Sequence, residues 1–136
     1  MKSQLAVWLR SPAGGRHAVN DVGCYLPESC DYPDYAAAVA RSVSARRASR
    51  GILICGTGIG MGMAANKVPG VRAAVSWNPA TAALAAEHNK ANVLCIPARF
   101  VDVRKARQMV IAFLKTPFGG GRHTRRVKKI TALDRC

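Results

Sequence analysis

The chain has 136 residues, the usual size of one domain, and 49% of them are hydrophobic, which excludes an intrinsically disordered protein. No apolar run approaches the roughly 20 residues that cross a bilayer, so a transmembrane protein is excluded as well. Lys and Arg number 21 against 7 Asp and Glu, and the formal net charge of +14 indicates an anionic partner such as nucleic acid, a membrane surface or a phosphorylated small molecule.

The first part of the chain predicts one clear helix. Leu5, Trp8 and Leu9 recur at helical spacing, so Lys2–Arg10 is predicted to be an amphipathic helix. The segment Ser11–Ala18 that follows is polar and rich in glycine, and it predicts no regular element.

Farther along, short apolar runs alternate with helical patterns. The runs at 51–55, Val71–Val75 and Asn92–Ile96, with a weaker one at 19–23, are typical of parallel strands that are covered on both faces. The predicted helices are Pro33–Val43, Ile59–Asn66, Pro79–His88, Val103–Leu114 and, after the break at Gly119–Gly121, a basic helix at Arg122–Ala132. Asp102 is the predicted N-cap of the fourth of these. The alternation predicts one α/β domain, residues 1–136, with a parallel sheet.

The five cysteines predict free thiols. Their count is odd and no CxxC pair occurs, so neither a disulfide framework nor a zinc site is expected. Free thiols suit a reducing compartment, and no signal peptide is apparent, so we expect a cytoplasmic protein.

The basic residues form two clusters that solvated surfaces would also explain. One lies near the C-terminus, and the other consists of Arg46, Arg47 and Arg50. Aromatic residues make up only 6% of the chain, and none of them is interleaved with these bases, so a stacking platform for single-stranded nucleic acid is not predicted. Arg122 and Arg126 are four residues apart, so they share one helical face and are able to clamp a phosphate.

The sharpest motif is the glycine-rich run Cys55–Gly62, which follows a strong strand and precedes a helix. Its alternate glycines allow a tight turn, and the helix N-terminus adds partial positive charge, so the run is a candidate anion cradle. It matches neither GxGxxG nor GxxxxGK[ST], which excludes the usual dinucleotide and P-loop motifs. A tight strand–helix turn around a buried cysteine would use the same glycines.

Cysteine and histidine supply the candidate chemistry. Cys55 is predicted at the carboxyl end of its strand, where the amides of the next helix would stabilise a thiolate that acts as base or nucleophile. Cys95 is predicted to be a core residue. His88 falls at the end of a helix, where a purely structural role is also common. His123 is either part of an anion site or simply exposed.

Five sequence runs together resemble the type B ribose-5-phosphate isomerases, a family that includes the galactose-6-phosphate isomerase subunits. The runs are Asp31–Ala36, Gly51–Gly60, Ala64–Ala73, Glu87–Val93 and Gly120–Val127. They occur in the family's order, and the resemblance extends from about Met1 to Ile130.

The resemblance implies a Rossmann-like parallel sheet with helices on both faces, and an enzyme of carbohydrate metabolism in the pentose phosphate pathway. The reaction would be an aldose–ketose isomerisation of a phosphosugar, most simply ribose 5-phosphate to ribulose 5-phosphate, with no metal and no cofactor. The partner would be a second copy of the chain, in a homodimer or tetramer whose active site lies at the subunit interface, with neither nucleic acid nor membrane bound.

The resemblance also implies the site residues. Cys55 would be the base, Thr57 would stabilise the enediolate, and His88 would open the sugar ring. The sugar would be bound by Gly56, Gly58, Ile59, Gly60 and Asn89, and its phosphate by Arg99, Arg122 and Arg126.

One departure from the family leaves alternatives open. Family members begin with a strand that ends in an Asp-His-Ala-Gly motif, which has no counterpart in this sequence. We therefore expect weaker activity and a less stable sheet. One alternative is a catalytically impaired paralogue that binds phosphosugar or pairs with a full-length subunit, and the other is a nucleic-acid-binding protein.

Overall fold

The centre of the fold is a parallel sheet of three strands, seen in a computed structural model that describes residues 1–25 and 30–135. The strands are β1 (Gly51–Cys55), β2 (Ala73–Val75) and β3 (Val93–Pro97), arranged β1-β3-β2. The α-helices are α1 (Lys2–Arg10), α2 (Tyr32–Ser44), α3 (Ile59–Ala65), α4 (Pro79–Asn89), α5 (Val103–Lys115) and α6 (Arg122–Ala132), and two short 3-10 helices cover Pro12–Gly14 and Leu133–Arg135. The α/β class with a parallel sheet is confirmed.

Helices cover both faces of the sheet, as predicted. On one face α1, α4 and α5 enclose a core that includes Leu5, Leu94 and the fully buried Phe113. On the other face α2 and α3 pack small residues against the sheet, among them Ala36 and Ala65. Every residue of β3 is buried, and the residues of β1 are buried or partly buried, which explains why these runs lack the alternation of a half-exposed strand.

The weak strand predicted at 19–23 is wrong, because these residues form no strand in the structure. The polar groups of this segment form hydrogen bonds with side chains instead of with a neighbouring strand. The Lys2 ammonium binds both carboxylate oxygens of Asp21 at 2.9 Å, and Arg10 donates to the carbonyl of Val19 at 2.9 Å. The backbone N–H of Gly23 also donates to Asp21, at 3.0 Å. The segment is thus held against α1 rather than paired in the sheet.

Strand β2 begins at Ala73, two residues later than predicted. The N–H of Val71 closes a turn to the carbonyl of Val68 at 3.1 Å, and the N–H of Arg72 donates to the Asn92 side chain at 2.7 Å. Because both donors are already used, pairing with β3 starts only at the next residue.

Each helix that follows a strand runs back along the sheet. Helix α4 begins just past the carboxyl end of β2, where Asn78 and Thr81 form a capping box. Helix α5 begins past the carboxyl end of β3, where the predicted cap Asp102 accepts the N–H of Lys105 at 2.7 Å. The carboxyl ends of the three strands therefore lie together at one end of the sheet, which is where open α/β sheets bind ligands. None of the helices in the described parts of the chain is long and apolar enough to cross a membrane.

Candidate active site

The turn between β1 and α3 brings the Cys55 thiol against backbone donors. Cys55 is the last residue of β1, and its Sγ accepts the N–H of Gly58 at 3.1 Å. Thr57 is exposed in the turn, and its Oγ1 accepts the N–H of Ile59 at 3.3 Å. The turn therefore holds the Cys55 thiol in hydrogen-bond contact with the backbone just before α3.

Glycine is required at position 58 for two reasons. Its φ is +75°, in the left-handed region, and a Cβ there would lie 3.2 Å from Cγ1 of Val75. A side chain at this position would therefore strain the backbone and press against Val75.

Arg99 lies beside the same turn. The N–H of Ala98 donates to the carbonyl of Cys55 at 2.8 Å, and the N–H of Arg99 donates to that of Gly56 at 3.1 Å. The guanidinium Nε lies 3.1 Å from the position that a Cβ on Gly56 would take. The structure thus brings an exposed cation next to the cysteine turn, as the phosphate prediction for Arg99 requires.

Tyr32 is a neighbour of this turn that the sequence analysis did not single out. Its hydroxyl oxygen lies 2.5 Å from the position of a Cβ on Gly60, so the ring covers the start of α3. The residue is 47% exposed, so the ring is only partly covered. Tyr32 is the first residue of α2 and precedes Pro33, and this position at a helix start is the sequence feature from which its place near the turn could have been predicted.

Cys95 is a buried core residue, as predicted. It is 0% exposed, and burial together with the nearby charge of Cys55 raises the pKa of its thiol to about 12. Cys95 therefore stays protonated at neutral pH.

A second group of predicted residues meets where α4 ends and α6 begins. The rings of His88 and His123 stack with their centroids 4.2 Å apart and their planes 10° apart. Partial loss of hydration lowers the pKa of His123, and the charges of His88, Arg122 and Arg126 lower it further. The group combines two imidazoles with guanidinium groups, which suits proton transfer next to a bound phosphate.

The two groups lie at opposite ends of the sheet in one chain. Cys55 is at the carboxyl end of β1, whereas α4 runs back from there and ends at Asn89, just before β3 begins. A helix of 11 residues is about 16 Å long, so His88 lies roughly that far from the end of the sheet that holds Cys55. No single chain brings the predicted base and the predicted ring-opening residue together.

The described part of the chain contains no cluster of potential metal ligands. No three His, Cys, Asp or Glu side chains among residues 1–25 and 30–135 lie close enough together to hold a metal ion.

Comparison with known proteins gives consistent matches. The family model described as Ribose/Galactose Isomerase matches residues 1–130. A protein of Mycoplasma pneumoniae named probable ribose-5-phosphate isomerase B is 51% identical over 105 residues, which is 77% of this chain and 69% of that protein. Ribose-5-phosphate isomerase B of Escherichia coli is 45% identical over 116 residues, 85% of this chain and 78% of that protein.

Solved structures agree with the sequence matches. Ribose-5-phosphate isomerase B of Mycoplasma genitalium, solved with bound ribulose 5-phosphate, has a TM-score of 0.92 and 43% identity, covering 98% of this chain and 88% of that one. A ribose 5-phosphate isomerase of Thermotoga maritima has a TM-score of 0.90 and 46% identity, covering 96% and 88%. With a family model over nearly the whole length and relatives at such identity, the chain belongs to the Ribose/Galactose Isomerase family of sugar-phosphate isomerases.

Proposed function

We propose that the chain interconverts ribose 5-phosphate and ribulose 5-phosphate, with Cys55 as the base. The observation that carries this proposal is the Cys55 thiol at a strand end, with its Sγ 3.1 Å from the N–H of Gly58. A relative solved with ribulose 5-phosphate supports the choice of sugar. The proposal takes residues 1–136 as one catalytic domain.

The reaction needs only movement of protons within the sugar. The Cys55 thiolate removes the proton from C2 of the open-chain aldose, and the electrons of that C–H bond form the C1–C2 double bond of an enediolate. The O2 hydroxyl loses its proton as O1 gains one, and Cys55 returns its proton to C1. C2 is oxidised and C1 is reduced in the same molecule, so no external oxidant or reductant takes part.

The turn after β1 would stabilise the enediolate. The N–H groups of Gly58 and Ile59 already donate to Cys55 and Thr57. The other backbone N–H groups of the segment Gly56–Gly60, together with the exposed hydroxyl of Thr57, would donate to the oxygens on which negative charge develops. Donors that the fold already holds in place need no reorganisation when charge develops. One such donor lowers the activation free energy by about 3–4 kcal/mol.

The remaining residues would come from a second copy of the chain. Because His88 and Cys55 lie at opposite ends of the sheet, a complete site requires the cysteine turn of one copy and the His88 group of another. His88 would then open the sugar ring and Asn89 would bind the sugar. A homodimer, or a tetramer of two such dimers, provides two complete sites per pair.

Three arginines would hold the phosphate. Arg122 and Arg126 are exposed on one face of α6 next to His88, and Arg99 lies beside the cysteine turn. A guanidinium binds a phosphate through two parallel N–H groups, which fixes its orientation as well as its position. We place this enzyme in the cytoplasm, where Cys55 would remain reduced.

Proton exchange tests the proposal directly. The purified chain is incubated with ribose 5-phosphate in D₂O, and NMR follows both the formation of ribulose 5-phosphate and the entry of deuterium at the exchanging carbon. We expect both, and we expect them to disappear in Cys55→Ser while remaining in Cys30→Ser, which removes an exposed cysteine elsewhere. Turnover at the wild-type rate in Cys55→Ser would refute the thiol base.

One structural observation favours the second candidate function, a phosphosugar-binding chain that pairs with another subunit. Strand β1 pairs with β3 on one side, and no strand among the described residues pairs with its other side. An open strand edge is able to accept a strand from another chain. If the purified chain binds ribose 5-phosphate without isomerising it, and regains turnover on addition of a catalytically inactive full-length family member, this candidate is correct.

A further inference from the structure

A basic groove lies on the inner side of α6, at the amino end of the sheet. It has a volume of about 430 Å³, within the range of small-molecule sites. It is lined by Arg72, Lys90, Phe118, Thr124, Val127, Lys128, Thr131 and Ala132. Three of these side chains are cationic and none is acidic, so the groove is complementary to an anion.

Arg72 is the fixed cation of this groove. Its Nε donates to the carbonyl of Lys90 at 3.0 Å, and its own N–H is held by the Asn92 side chain. Asn92 is held in turn, because its amide donates to the carbonyl of Gly70 at 2.8 Å. The Arg72 guanidinium is thus oriented before any ligand arrives, and preorganisation of this kind reduces the entropic cost of binding.

The positive charge at Arg72 is only partly balanced. Burial lowers its pKa and the charge of Arg50 lowers it further, while the carboxylate of Asp134 raises it in part. Asp134 also accepts the N–H of Gly70 at 2.8 Å, so its charge is shared with a second donor. A cation that is half-buried beside another cation favours a bound anion.

The apolar part of the lining indicates more than bare phosphate. Phe118 is half-buried, with the Lys90 ammonium 5.5 Å from its ring centroid, and Val127 is 8% exposed. These side chains form an apolar wall next to the cations, and the volume exceeds what a phosphate group fills. The groove therefore suits a ligand that has both phosphate groups and a ring.

The groove is separate from the proposed substrate phosphate site. At 100° per residue, Thr124, Val127, Lys128 and Thr131 occupy the face of α6 opposite to the face shared by Arg122 and Arg126. An anion in the groove would not displace a phosphate from those two arginines.

We propose that this groove, the α6 groove, is a second ligand site that binds the phosphates of a nucleotide-like metabolite through Arg72, Lys90 and Lys128. The ring of the ligand lies against Phe118 and Val127. The inference concerns binding alone and does not depend on the proposed isomerase reaction.

Calorimetry with adenosine 5′-diphosphate as the probe tests the site. The titration uses the full chain carrying Arg122→Gln and Arg126→Gln, so that the proposed substrate site does not compete. Adding Arg72→Gln and Lys128→Gln removes two charged hydrogen-bond donors, and we expect affinity to fall at least about tenfold. The matched control adds Arg46→Gln and Arg47→Gln, which removes the same charge from exposed residues outside the groove, and should change affinity less than about twofold.

The outcomes separate a built site from general attraction to a basic protein. Equal weakening by both pairs, or no weakening by the groove pair, would overturn the proposal. Lys128→Gln alone changes an exposed side chain and leaves the fold intact, so it must also weaken binding even if Arg72→Gln proves unstable. Pyrophosphate should bind more weakly than adenosine 5′-diphosphate, and equal affinities would overturn the assignment of the ring to Phe118 and Val127.

Discussion

The imidazole rings of His88 and His123 lie face to face, with their centroids 4.2 Å apart and an angle of 10° between their planes. One ring belongs to the end of α4 and the other to the start of α6. Two stacked imidazoles do not both carry a charge readily, and Arg122 and Arg126 add further positive charge around His123. These positive charges lower the pKa of His123, which stacks on the residue that opens the sugar ring in the proposed mechanism.

This arrangement predicts a pH-dependent stability. The folded-state pKa of His123 is below its ordinary value of 6.5, so the unfolded chain binds the proton more tightly than the folded one. Stability is then fully present above pH 6.5 and is lost as the pH falls from 6.5 through the lowered pKa. We expect the Tm to fall as the pH is lowered from about 6.5 to about 5.5, and to fall less in His123→Asn.

The control for that experiment is His17→Asn, which removes an imidazole from an exposed loop. NMR titration of the His123 ring should place its midpoint below 6.5, and Arg126→Gln should move the midpoint upward because one positive charge is removed. A midpoint above 6.5 in the wild type would contradict the effect of the neighbouring charges.

Cys55→Ser should lower kcat by about 10²- to 10⁴-fold, the usual contribution of a general base, while the melting temperature changes little. Serine keeps the hydrogen-bond acceptor for Gly58 at nearly the same size, but its hydroxyl is a far weaker acid and forms almost no anion near neutral pH. Steady-state kinetics with ribose 5-phosphate measures the loss. Cys30→Ser serves as the matched control, since it makes the same chemical change at an exposed site.

Arg122→Ala and Arg126→Ala should raise KM for ribose 5-phosphate and leave kcat nearly unchanged, because phosphate contacts stabilise the ground state and the transition state alike. Each lost charged contact corresponds to about 1.5–3 kcal/mol, or roughly a tenfold to hundredfold higher KM. Arg125→Ala removes an exposed arginine from the same helix and should leave KM as it was. If both single variants keep the wild-type KM, α6 does not bind the phosphate.

Gly58→Ala should destabilise the fold more than Gly120→Ala. Both glycines have positive φ, +75° and +62°, so both substitutions introduce backbone strain of about 1–3 kcal/mol. Only Gly58 has a close neighbour, since a Cβ there would meet Val75 at 3.2 Å, whereas nothing lies within 4 Å of one at Gly120. Urea unfolding should therefore give the larger loss of unfolding free energy for Gly58→Ala, and equal losses would show that packing against Val75 is loose.

The sequence predicted the α/β class because β1 and β3 are apolar on both faces and the helices carry clear start signals, such as Asp102. It failed at 19–23, where the weaker apolar run predicted a strand. There the deciding interaction is the ion pair of Asp21 with Lys2, 19 residues away, which local propensity does not report. The start of β2 was misplaced for a similar reason, because the Asn92 side chain takes the N–H of Arg72.

For the site, the sequence predicted the glycine turn and the buried Cys95, since both depend on residues close to a strong strand. The stacking of His88 on His123 and the cover of Gly60 by Tyr32 were not predicted. Both contacts join residues that are about 28 to 35 positions apart in the sequence. They form only because each helix runs back along the sheet, antiparallel to the strands. The separation of Cys55 from His88 also follows from that direction, so motif order alone did not show it.

That separation makes its own prediction about mixed assemblies. Cys55→Ser and His88→Ala should each be nearly inactive alone, because each removes one half of every shared site. In a mixed dimer of the two variants, one site takes its cysteine from the His88→Ala chain and its histidine from the Cys55→Ser chain, so that site is intact. Its other site carries both changes and is inactive.

An equal mixture of the two variants should therefore regain activity after subunit exchange. Random pairing makes about half of the dimers mixed, each with one of its two sites intact, so about a quarter of the wild-type kcat per chain is expected. The measurement is ribose 5-phosphate turnover before and after exchange through mild denaturant, with each variant exchanged against itself as the control. If Cys55 and His88 acted within one chain, no dimer would contain an intact site, and the mixture would stay as inactive as its parents.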